Sequence, residues 1–141
     1  MTVAEPMPVQ LAVLTENVRV IDYESDGDAG IRVFAQVTVD PDNPAFVGHY
    51  PGLPVFPGVC QIDCAHRTVL AAARIEGVAP RLTTVSTARF LRVVSPCDEI
   101  RIETVIATTG TEWHVVAALC GKDGLVARVR LRYQLPHGGT S

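Results

Sequence analysis

The sequence predicts an α+β domain in which one antiparallel sheet wraps around a single long helix. Two observations carry this. Two strand-like stretches, one helical stretch and four more strand-like stretches follow one another along the chain. Hairpin signals at Thr109-Gly110 and Lys122-Asp123-Gly124 join the later strands in antiparallel fashion.

The elements read as follows. Asn17–Tyr23 (NVRVIDY) alternates apolar and polar residues, and Gly30–Val39 (GIRVFAQVTV) reads as a second strand. Residues 40–58, DPDNPAFVGHYPGLPVFPG, carry four prolines after Asp42 and three glycines, which excludes regular structure there. A helix is expected from about Pro57 to Glu76. Pro57 suits the first helical turn, where its missing N–H is no loss. Val59, Ile62, His66, Val69, Leu70 and Ala73 recur at three- and four-residue spacing, and Ala65, Ala71 and Ala72 widen the apolar surface. The helix should therefore be largely buried. Gly77 is a natural stop, reinforced by Pro80. Arg81–Val94, Glu99–Thr108, Glu112–Cys120 and Leu125–Leu135 are rich in Val, Ile, Thr and aromatics and read as strands.

The 141 residues fit one domain, with about residues 1–15 and 136–141 flexible. Hydrophobic residues make up 48% and charged residues 19%, a globular balance. A net charge of −3 gives no ground for a nucleic-acid partner. No apolar run reaches the length of about eighteen residues that a membrane-spanning helix needs. The first residues lack a basic segment leading into an apolar one, so no secretory signal is expected and the expected location is the cytoplasm. The cysteines at 60, 64, 97 and 120 form no CxxC pair and read as free thiols. Cys60 and Cys64 lie one helical turn apart, but His66 points off that face. No metal is expected, and both cysteines read as small buried hydrophobes.

The chemistry concentrates at the start of the helix. Asp63 stands in its first two turns, with His66 and Arg67 a turn later. His49 precedes it in a loop stiffened by Pro51, Pro54 and Pro57. Burying a carboxyl is unfavourable by roughly several kcal/mol unless it is paired or neutralised. A histidine and a carboxyl held near each other by a rigid loop can divide base and acid work. The blander readings are a loop histidine satisfied by backbone groups and a structural acid neutralised by Arg67.

The run Gly48-His49-Tyr50-Pro51-Gly52-Leu53-Pro54-Val55-Phe56-Pro57-Gly58-Val59-Cys60-Gln61-Ile62-Asp63 resembles, without a gap, the signature of β-hydroxyacyl-acyl-carrier-protein dehydratases of the FabA/FabZ type, roughly GHFPGxPxxPGxxxx(D/E). Weaker similarity at Ala88-Arg89-Phe90, Pro96-Cys97-Asp98, Trp113 and Lys122-Asp123-Gly124 extends the resemblance over about residues 17–135. It implies the hot-dog fold, a homodimer with active sites shared between subunits, further assembly of such dimers in some cases, and no cofactor. It also implies that His49 removes the α-proton of a 3-hydroxyacyl thioester and Asp63 protonates the departing hydroxyl. The Gly58 N–H would bind the thioester carbonyl, and the Val55 carbonyl would orient the His49 ring. The acyl chain would ride on an acyl carrier protein, with coenzyme A as the other carrier, in fatty-acid or in polyketide or polyene assembly.

Three positions depart from that pattern. Arg67 stands where the family usually has Gln, and it can pair with Asp63 one turn away. His66 replaces an apolar or small residue. Cys97 replaces a common glycine and reads as neutral. Arg67 and His66 are therefore expected to modulate the site. Arg128, Arg130 and Arg132 alternate along the last strand and share one sheet face. That face is either simply solvated or a docking patch for an acidic carrier protein. Two other functions are weighed against dehydration. A hot-dog thioesterase also uses a helix-borne carboxylate but does not need the proline-rich histidine loop. A catalytically decayed acyl-binding or partner subunit is kept in view by Arg67.

Overall fold

The computed structural model describes residues 18–26, 30–40, 57–95 and 97–136. Their elements are β1 (Arg19–Ser25), β2 (Ile31–Thr38), α1 (Gly58–Glu76), β3 (Arg81–Phe90), β4 (Glu99–Thr109), β5 (Glu112–Gly121) and β6 (Gly124–Gln134). The strands form one six-stranded sheet in the order β1-β2-β4-β5-β6-β3, and every neighbouring pair is antiparallel. The chain leaves β2 near one edge, runs through α1 and returns as β3 at the opposite edge.

The predicted turns hold for local reasons. Gly110 and Thr111 connect β4 to β5, with Gly110 at φ 60, a left-handed conformation that glycine adopts freely. Lys122 and Asp123 connect β5 to β6. α1 ends on Gly77 at φ 75, where the Val78 N–H donates to the Ala73 carbonyl and the Gly77 N–H to that of Arg74. Arg74 places positive charge on the last turn.

Alternation produces the core. Val33, Ala35 and Val37 of β2, Ile100, Ile102 and Ile106 of β4, Trp113, Val115, Ala117 and Leu119 of β5, and Val129, Leu131 and Tyr133 of β6 are all buried. Their sequence neighbours on the other face are exposed or half-buried. α1 packs against β1, β2, β4, β5 and β6.

Several boundaries differ from the sequence expectation. β1 runs to Ser25 rather than ending at Tyr23, and a bulge between Val20 and Asp22 interrupts its alternation, leaving Ile21 exposed. Pro57 is the N-cap of α1 rather than a residue of its first turn. Its backbone is extended, and its carbonyl accepts from the Cys60 and Gln61 N–H groups. β3 stops at Phe90, because the Leu91 and Arg92 N–H groups both turn onto the Val126 carbonyl. Cys97 is not neutral: it sits at φ 71, which is strained by about 1–2 kcal/mol for a residue with a Cβ.

The buried stripe of α1 also differs. Cys60, Gln61, Asp63, Cys64, Ala65, Thr68, Val69, Ala72 and Ala73 are buried. Val59 is exposed, and Ile62, His66 and Leu70 are half-buried. Small residues face the sheet because they let the helix approach it closely. The Thr68 hydroxyl stays satisfied there by donating to the Cys64 carbonyl.

Candidate active site

His49 and Val55 lie outside the described residues. The other candidates are all placed. Gly58 is the first residue of α1, and its N-cap residue, Pro57, makes no side-chain capping hydrogen bond. A Cβ on Gly58 would come within 2.9 Å of the Phe90 ring, so glycine here allows β3 to close over the helix start. Phe90 was not singled out by sequence reasoning, although the motif glycine and the Ala88-Arg89-Phe90 similarity both pointed to this region.

Asp63 is only 5% exposed, and Arg67 Nε lies 2.7 Å from its Oδ2. The i,i+4 pairing that the spacing permitted is therefore made. A guanidinium at that distance favours the ionised carboxylate. His66 turns to the sheet instead: its Nδ1 is 2.7 Å from the Tyr133 hydroxyl, and the two rings are nearly parallel. Burial, and then the Arg67 charge, lower the His66 pKa from its ordinary value. Burial, and then the Asp63 charge, raise that of Tyr133. Asp63, Arg67, His66 and Tyr133 thus form one electrostatic cluster beside the second turn of the helix. Tyr133 was missed from sequence; its only signal was alternation, which set it on the face opposite the three arginines.

The His66 shift has a consequence for stability. Its folded pKa lies below its unfolded value of about 6.5. The unfolded chain therefore gains a proton first as pH falls, and the His66 contribution to stability, full above about 6.5, is lost below it. In acid the wild type should lose more stability than His66→Gln does. Urea unfolding of both proteins between about pH 7.5 and 5 checks this, and equal slopes would contradict it.

Arg128, Arg130 and Arg132 project from the outer face of β6, as their alternation predicted. β3 adds Arg89 directly opposite Arg128, a neighbour that only strand pairing reveals. Arg132 lies 3.6 Å from Glu112, which also meets His114 at 3.1 Å. Cys60 and Cys64 are buried and lie outside any disulfide, and the described residues contain no cluster of three or more side chains able to hold a metal. No helix among them is long and apolar enough to cross a membrane.

A family model described as ApeI dehydratase matches residues 24–123. The 3-hydroxyacyl-acyl-carrier-protein dehydratase FabZ of Symbiobacterium thermophilum is 37% identical over 87 residues, covering 59% of this chain and 61% of that protein. The FabZ of Syntrophotalea carbinolica is 30% identical over 118 residues, covering 79% and 80%. The match thus spans about three fifths of the first relative's length and four fifths of the second's. Among solved structures, the dehydratase heterocomplex ApeI:P from Xenorhabdus doucetiae superposes with a TM-score of 0.58 at 18% identity, covering 84% of this chain and 98% of that one. The six-stranded sheet and long helix are the hot-dog fold shared with that neighbour.

Proposed function

Because the chain belongs to the ApeI-like dehydratase family, we propose that it removes water from a 3-hydroxyacyl thioester to give the 2-enoyl thioester, without a cofactor. The observation that carries this reading is the buried carboxyl of Asp63 in the second turn of α1, joined without a gap to the His49 loop motif. His49 takes the α-proton as base while the C3–O bond breaks. Asp63, in its protonated form, gives its proton to the departing oxygen, and water leaves. The Gly58 N–H, at the positive end of α1, binds the thioester oxygen as negative charge grows on it. The Val55 carbonyl holds the His49 ring.

The working unit in this proposal is a homodimer, with His49 from one subunit and Asp63 from the other. β3 supports it. This edge strand leaves Val85 and Phe90 more than 40% exposed, and the adjoining Leu91 and Val93 are more exposed still. A ten-residue edge strand with these apolar side chains uncovered calls for a covering partner. The basic outer face, from Arg89 through Arg128, Arg130 and Arg132, fits an acidic carrier protein that delivers the acyl chain. Such a carrier places the enzyme in fatty-acid or polyketide assembly in the cytoplasm.

Mixing two inactive variants tests both chemistry and architecture. His49→Ala and Asp63→Asn, co-expressed, should recover roughly a quarter of wild-type turnover, because half of randomly paired dimers hold one intact site of two. The readout is enoyl product from a 3-hydroxyacyl thioester. No recovery in stable mixed dimers would refute the shared site, and free thiol in place of enoyl product would make the protein a thioesterase.

A further inference from the structure

His66 and Tyr133 have no part in the scheme above. His66 follows Asp63 by three residues, so both project from neighbouring positions on one side of α1. Tyr133 is 1% exposed and comes from the far end of β6, flanked by Leu82 of β3 and Trp113 of β5. An ordinary core would fill these two places with apolar side chains, since an imidazole and a phenol are unfavourable to bury unless their polar atoms are satisfied. Only one side of the imidazole is satisfied within the described residues. Nδ1 meets the Tyr133 hydroxyl at 2.7 Å, whereas Nε2 makes no hydrogen bond among them.

The charge states follow from the surroundings. Burial, and then Arg67, keep the imidazole neutral, and burial, and then Asp63, keep the phenol protonated. Between two such partners the phenol is the stronger acid and the imidazole nitrogen the stronger base, so Tyr133 donates to Nδ1. The imidazole proton is then left on Nε2. The cluster thereby presents a neutral N–H donor next to the ionised Asp63–Arg67 pair.

We infer that His66 is a further substrate-binding residue, whose Nε2–H donates to the 3-hydroxyl oxygen of the substrate, and that Tyr133 is the positioning residue that holds it in that tautomer. The inference rests on the dehydratase reading. As the C3–O bond breaks, negative charge grows on that oxygen, and a fixed donor aimed at it grows stronger. The donor keeps its own proton; the proton that completes the leaving water comes from the protonated form of Asp63, which the Arg67 pairing makes the minor one. A neutral donor suits this place because a second cation beside Arg67 would hold the carboxyl more firmly in its ionised form.

Three variants and one spectroscopic measurement test the assignment. Tyr133→Phe removes the hydroxyl and keeps the ring, and His66→Leu removes the donor. His66→Gln keeps an N–H near the place of Nε2. Tyr133→Phe and His66→Leu should each lower kcat/KM for a 3-hydroxyacyl thioester by about tenfold, chiefly in kcat, while His66→Gln stays within about threefold of wild type. The imidazole nitrogen shifts of 15N-labelled wild type should show the Nε2–H tautomer alone, and Tyr133→Phe should mix in the Nδ1–H form. Should His66→Leu fail to fold, Tyr133→Phe and the nitrogen shifts still decide. An active wild type whose Tyr133→Phe variant matches it in kcat/KM, or an Nδ1–H tautomer in the wild type, would overturn the inference alone. No enoyl product from the wild type would overturn the dehydratase reading beneath it.

Discussion

Turnover of a 3-hydroxyacyl thioester should fall by about a hundredfold or more in Asp63→Asn and again in His49→Ala, the usual scale for a general acid or base. The fold should survive both changes. Asn fills the space of Asp63, and the Arg67 side chain, 29% exposed, can keep its charge partly in water when its partner is neutralised. Circular dichroism and gel filtration alongside steady-state kinetics separate lost chemistry from lost structure. Near-normal dehydration by folded His49→Ala would remove that residue from the mechanism, and near-normal dehydration by Asp63→Asn would remove the acid.

Arg67→Gln should act in the opposite direction and raise dehydration at neutral pH. The guanidinium 2.7 Å from Oδ2 favours the ionised form of Asp63, and an ionised carboxyl cannot protonate a leaving oxygen. Without that cation the acid form persists to higher pH. The limb on which the rate declines as Asp63 ionises should therefore move upward. A pH–rate profile of both proteins, with substrate binding measured separately, checks this. Weaker binding with an unmoved profile would place Arg67 in the acyl or carrier path instead, and no change in either would make it a bystander. If Asp63→Asn, Arg67→Gln and the wild type all form no product from any 3-hydroxyacyl thioester, the remaining reading is an acyl-binding subunit, in which the pair is structural.

The sequence by itself determined the fold class, the stop of the helix, the two hairpins and the alternation of β4, β5 and β6. Each of these is written in local chemistry. Gly77 and Gly110 stand where the backbone turns left-handed, and an apolar residue every second position needs no knowledge of its neighbour strand. The same locality made the His49–Asp63 motif legible, because the loop and the first helical turns are contiguous. It also allowed the Asp63–Arg67 pair, although helix spacing alone left Arg67 free to swing past the acid. Tertiary structure decided the rest. It chose the pairing rotamer of Arg67 and turned His66 onto Tyr133, a partner 67 positions away that is brought close only by the packing of α1 on β6. It set Arg89 against Arg128 and Phe90 over Gly58, because β3 closes the sheet beside β6 rather than beside the strand that precedes the helix. It also chose which stripe of α1 is buried. Val59, Ile62 and Leu70 recur with the right period, but close packing on the sheet favours the smaller Cys64, Ala65, Thr68 and Ala72. Periodicity reports that a helix has an apolar side; only the shape of the surface it meets determines which residues that side contains.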